Sequence, residues 1–185
     1  MSQPALCARF KDLTSDQRQE LRTWWANVCE EGEKPGPVGL WVCGPRRGGT
    51  SYVGEVAMRK IVRETGTGYW DRVEAAAVVQ AVRQTWSFGD LLRHNQDDYG
   101  LWKETAAVED ELALLWSIPY LWIDDFQHEV VDVNFWRKHV QGRVEQRVKQ
   151  RKPTIVCTTL TPDHPELAGL ERVITDLFVV SYAGR

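Results

Sequence analysis

The chain has 185 residues, of which 43% are hydrophobic and 26% charged, with a formal net charge of -3; this is the balance of a globular protein long enough to bury one full core. The acidic excess gives no overall attraction for nucleic acid, so any such contact is confined to a local, salt-sensitive patch. No apolar run approaches the ~18 residues of a membrane-spanning helix and the N-terminus lacks a signal-peptide pattern, which argues against membrane or secretory targeting.

In chain order, Thr14 and Gln17 form a capping-box pair that opens a helix reaching about residue 31, with Leu21, Trp24, Trp25 and Val28 on its apolar face. The Gly- and Pro-containing stretch 32–37 ends it. Residues 38–43 form a short, nearly continuous apolar run, the pattern of a strand buried on both faces. A glycine-rich turn follows, and Tyr52, Val53, Val56, Ala57, Ile61 and Val62 then recur at helical spacing over 51–62. A second strand is expected over 70–76 and a second helix over 77–86. The polar, glycine-punctuated stretch 87–100 reads as a loop with one helical turn at Leu91 and Leu92. A helix over 105–117 leads to a third strand at 120–123, which runs into Asp124 and Asp125. A helix over 133–151 is stopped by Pro153, a fourth strand spans 154–158, a short helix 167–175, and a last strand 178–182. Strands alternating with helices predict an α/β fold: a five-stranded, mostly parallel sheet with helices on both faces, forming one domain over 1–185.

The most telling segment is Gly44-Pro45-Arg46-Arg47-Gly48-Gly49-Thr50-Ser51. It has the frame of a phosphate-binding P-loop: a glycine, four residues, a second glycine, then a hydroxyl at Ser51. A strand, this turn and a helix aim backbone N–H groups and a positive helix end at one point, which suits a phosphate. The plainer alternative, an ordinary turn, does not account for the flanking strand and helix. One part is replaced, because Thr50 stands where the phosphate-gripping lysine belongs.

Two strand ends carry the remaining chemistry. Asp124 and Asp125 close an apolar strand at the sheet edge where ligands bind in such folds. In a P-loop protein the first acid, with the loop hydroxyl Ser51, holds magnesium, and the second polarises the attacking water; the plainer reading is that both cap a turn. Thr158 and Thr159 end the fourth strand, where a hydroxyl can bond the attacking water or the terminal phosphate. The cysteines, Cys7, Cys29, Cys43 and Cys157, show neither metal-ligand nor disulfide spacing, so a reduced, cytoplasmic protein is expected, with Cys43 and Cys157 as core residues on strands.

With these motifs in place, the order of parts from about Arg9 to Arg185 resembles the AAA+ ATPases of the DnaC and IstB type, the bacterial and phage helicase loaders and transposition helpers. Gly44, Pro45 and Gly49 match that family's first motif, and Ile123-Asp124-Asp125 its magnesium and catalytic acids. Lys152-Pro153-Thr154-Ile155 leads into its polar sensor, with Thr159 where an asparagine is usual. Glu171-Arg172-Val173 resembles the start of its trans-acting arginine box. The resemblance implies a P-loop NTPase fold, ATP or ADP with Mg2+ as cofactors, a homo-oligomer, and a replicative helicase or another replication or transposition protein as partner. Because the loop begins at residue 44, the separate N-terminal partner-binding domain of such proteins is expected to be lacking.

Two departures bear on hydrolysis. Thr50 removes a cation that neutralises the transferring phosphate, and Asp176 falls where the family's second arginine of the box is expected. Arg46 or Arg47 could replace the lysine, or be a solvated pair. Arg143, Arg147 and Arg151 recur at i, i+4 spacing and offer a stripe for single-stranded DNA, with a solvated face as the alternative. The nine tryptophans are expected mostly in the core rather than as stacking platforms, and the four histidines have no metal-ligand spacing. The expected protein is thus an ATP-binding AAA+ core of phage or bacterial DNA replication with weak or absent hydrolysis. Its rival is a non-enzymatic assembly protein built on a degenerate P-loop; a kinase-like fold is disfavoured by the paired acids.

Overall fold

The computed structural model describes residues 9–30, 36–94, 99–127 and 131–184. Helix α1 (Ser15–Cys29) opens on the expected capping box: Thr14 Oγ1 accepts from Gln17 N–H, and Gln17 Oε1 accepts from Thr14 N–H. Strand β1 (Gly39–Cys43) and α2 (Thr50–Thr65) flank the glycine-rich turn. They are followed by β2 (Trp70–Glu74), α3 (Ala75–His94), α4 (Tyr99–Ser117) and β3 (Tyr120–Phe126). Then come α5 (Val133–His139), α6 (Gln141–Lys149), β4 (Thr154–Thr158), α7 (Glu171–Leu177) and β5 (Phe178–Tyr182).

The five strands are all parallel, in the order β2-β3-β4-β1-β5. Every residue of β1 and β4 is buried, as central strands covered on both faces require. Side-chain alternation divides the core. Leu40, Val42, Trp122, Ile155 and Cys157 pack with α1 and α2 on one face. Trp41, Cys43, Leu121, Ile123 and Val156 pack with α3, α5, α6 and α7 on the other. Trp24, Trp41, Trp122 and Trp136 are core residues, whereas Trp70 is exposed. None of the described helices is long and apolar enough to cross a membrane.

Three expectations change. The stretch 87–100 is not a loop: α3 continues to His94 and α4 starts at Tyr99, while 95–98 lie outside the described residues. Polarity marked it as a loop, but it contains no proline to stop a helix. The single helix over 133–151 is two, α5 and α6, joined at the fully buried Val140. Trp136 Nε1 donates to Gln141 Oε1 at 2.9 Å across that joint, so packing sets the break. The short helix near 167–175 is a 3-10 turn, Pro165–Leu167, followed by α7. Cys7 and His128 lie outside the described residues.

Candidate nucleotide site

The turn after β1 is shaped by backbone constraints. Gly44 N–H donates to Thr158 O at 3.2 Å, and a Cβ on Gly44 would stand 2.4 Å from Ala183 O, so only glycine fits. Gly48 N–H closes back on Pro45 O at 2.7 Å. Arg47 (φ 63°) and Gly49 (φ 91°) adopt the left-handed conformation, which turns the chain into α2. Val53 N–H takes Gly49 O at 3.1 Å. The N–H groups of Thr50 and Ser51 have no carbonyl one turn back within α2 and are left, with the positive end of the dipole, at the cavity.

That cavity, about 310 Å³, is lined by Pro45, Arg46, Arg47, Gly49, Thr50 and Ser51 from the loop, by Asp125 and Gln127 after β3, and by Cys157, Thr158 and Thr159 from β4. The fold therefore gathers the loop, the second acid and the polar strand end that the sequence singled out separately. Arg46 and Arg47 are both exposed at its wall.

The two acids are treated very differently. Asp124 is 1% exposed. Ser51 Oγ donates to its Oδ1 at 2.9 Å, and Arg72 donates to its Oδ2 from Nε at 3.1 Å and Nη2 at 2.5 Å. Arg72 comes from β2, where it is in register with Trp122, and its guanidinium lies 4.5 Å over that indole. Arg72 was not legible as a site residue; the only signal was a cation in a strand bound for this edge. Asp125 is exposed, left-handed (φ 55°), and sits where β3 slips register against β4 between Ile123 and Phe126. Its carboxylate accepts from Gln127 Nε2.

The two threonines divide their work. Thr158 Oγ1 donates to Phe126 O at 2.6 Å and accepts from Leu160 N–H at 2.9 Å, which ties β4 to the end of β3. Thr159 N–H also takes Phe126 O, at 3.2 Å, while its Oγ1 is buried and has no partner among the described residues. It is a hydroxyl with its bonding capacity still unused beside the loop. Cys157 Sγ accepts from Trp122 Nε1 at 3.3 Å and donates to Thr50 O at 3.4 Å. Burial, and after it the Asp124 carboxylate, push its thiol well above the ordinary range, so it is a packing group and not a nucleophile.

The resemblance implies magnesium on Asp124 and Ser51. As they stand, these residues do not fit a divalent ion: the serine hydroxyl is spent on the acid, and a guanidinium covers the acid's other oxygen.

Arg172, on α7, is exposed and takes no part in the cavity wall; Asp176, one turn on, is exposed too. The proposed DNA stripe on α6 needs correction. Arg147 is only 2% exposed; its Nη1 donates to Trp116 O (2.7 Å) and Ile118 O (2.9 Å) and its Nε to Thr154 Oγ1 (3.2 Å), while its buried Nη2 has no partner among the described residues. Arg151 is half-buried, left-handed (φ 60°) and donates to Gly36 O, Asn27 O and Glu30 O. Only Arg143 of the three is exposed. The i, i+4 spacing predicts one shared face, but packing divides the three: Arg147 turns onto the end of α4, Arg151 onto the end of α1, and Arg143 stays exposed.

Sheet order, the loop between β1 and α2, and acids closing β3 define a P-loop NTPase fold of the AAA+ type. Solved AAA+ replication proteins share it. The structure of DnaI matches with a TM-score of 0.61 and 16% identity over 99% of this chain and 91% of that one. The DnaC helicase loader matches at 0.60 and 15% identity over 95% and 96%. The replication initiator DnaA bound to AMPPCP and single-stranded DNA matches at 0.57 and 9% identity over 95% of this chain, which spans 49% of that one. No protein-family model and no curated protein matches the sequence.

Proposed function

We propose that this chain is a nucleotide-binding AAA+ subunit of a DNA-replication assembly, of the helicase-loader kind, that binds ATP or ADP and hydrolyses it weakly or not at all. The observation that carries the reading is the cradle around Thr50: left-handed Gly49, the free helix N–H groups and Thr159 line one cavity, with no lysine in the loop. DnaA, which shares the fold, was solved with AMPPCP and single-stranded DNA. Asp125, at the cavity, is the residue to orient water; Thr159 is the sensor; exposed Arg172 is available to a neighbouring subunit of a homo-oligomer. Magnesium is left out of this reading because Asp124 is already paired. The partner is a replication protein such as a replicative helicase, and a single strand of DNA would be met on a surface other than α6.

Calorimetric titration with ATP and ADP tests it. Binding at roughly micromolar affinity or weaker is expected, and Thr50→Lys should tighten it about tenfold, the worth of one charge-assisted contact. Absence of binding at millimolar nucleotide in both forms would refute the nucleotide reading. A second reading, a non-enzymatic assembly protein on the same fold, is favoured by the loss of the lysine together with the pairing of Asp124. Turnover measured with single-stranded DNA present separates the two.

A further inference from the structure

The cation lost from the loop has a counterpart elsewhere in the site. In a P-loop enzyme the lysine and a divalent ion together offset the charge of the first acid and the phosphates. Here position 50 is neutral, and Asp124, buried behind the loop, would be an uncompensated buried charge without a partner. Arg72 provides it. The guanidinium reaches across from β2, lies on the Trp122 face and gives two N–H bonds to one carboxylate oxygen, while Ser51 occupies the other. An aromatic platform and a forked donor hold it in a way a lysine ammonium could not match.

We propose that Arg72 takes the place of the divalent ion, so that the site binds a nucleoside di- or triphosphate without metal. This deepens the nucleotide reading and rests on it. Arg72 is not in the wall of the loop cavity; it acts through Asp124, which it keeps from repelling the phosphates, and is a positioning residue. A free carboxylate would attract an ion; this one arrives neutralised. The remaining N–H groups of Arg72, whose side chain is 52% exposed, have no partner among the described residues.

The test compares the affinity for ADP and ATP in excess EDTA with that in excess Mg2+, read by calorimetry or with a fluorescent nucleotide analogue. For the wild-type chain the two should agree within about threefold. In Arg72→Gln, affinity in EDTA should fall at least tenfold and recover with Mg2+, because Asp124 is then a free acid. Arg72→Lys should recover part of the metal independence, and the double variant Arg72→Gln/Asp124→Asn, with both charges gone, should bind again in EDTA. Thermal melts confirm that each variant folds, and the wild-type arm needs no variant. Wild-type binding that is lost in EDTA and restored by Mg2+ would overturn this inference and leave the nucleotide reading standing. No binding under either condition would remove both.

Discussion

Replacing Arg147 by alanine distinguishes a structural arginine from a DNA-binding one. Its Nη1 donates to Trp116 O in the last turn of α4 and to Ile118 O just beyond, and its Nε to Thr154 Oγ1 at the start of β4. A guanidinium there caps the negative end of α4 and fixes the entry into β3. Hydrogen bonds from a charged donor contribute about 1.5–3 kcal/mol each, and the carbonyls left behind cost more if water cannot reach them. Desolvation works against this, pushing the Arg147 pKa down from the usual arginine range to about 10. With that opposing cost, a net loss of about 2–4 kcal/mol is expected for Arg147→Ala. Urea denaturation with an unchanged m-value measures it, and exposed Arg143→Ala should stay within about 0.5 kcal/mol of wild type. A loss below about 1 kcal/mol for Arg147→Ala would refute the capping role. So would an unchanged stability accompanied by weaker, less salt-sensitive binding to single-stranded DNA.

Asp125→Gly should leave stability within about 0.5 kcal/mol of wild type, because relief at φ 55° is offset by the entropy glycine adds to the unfolded chain and by loss of the Gln127 bond; the same change should abolish whatever ATP turnover the protein has. Unchanged turnover in a protein shown to hydrolyse ATP would make Asp125 a turn residue only. Gly54→Ala would bring a Cβ to 2.6 Å from Cys157 Sγ and 3.0 Å from the Trp122 indole, with an expected cost of about 1–3 kcal/mol in a thermal or chemical melt. An unaltered melt would show that α2 does not rest on β3 and β4 as closely as described.

The strands were the most legible elements, because short apolar runs bounded by glycine, proline or paired acids leave few alternatives. Residues 154–158 and 178–182 are strands with the expected limits, and the capping box at Thr14 fixed the start of α1. The loop, Asp125 and Thr159 were named from local pattern and do meet at one cavity. What local pattern could not supply was who faces whom. Arg147 and Arg143 have the same spacing logic, yet one is buried and the other exposed, because the end of α4 decides it. Arg72 stayed invisible for the same reason: its partner lies 52 positions away, and only strand pairing brings β2 beside β3.

The roof over Gly44 has a consequence for the order in which the cradle can be assembled. Ala183 N–H bonds Cys43 O at 2.8 Å, Ala183 O stands over Gly44, and Gln17 Nε2 holds Tyr182 O at 3.0 Å. On its other side, Gly44 N–H is tied to Thr158 O. The phosphate loop is thus a local sequence whose shape depends on contacts of long sequence separation, from α1 at one end and β5 at the other. Such contacts form late, after their loop-closure entropy has been paid. A nascent or partly unfolded chain therefore carries the loop's sequence without its shape, and any ligand of that loop would bind only the folded form and draw the folding equilibrium toward it.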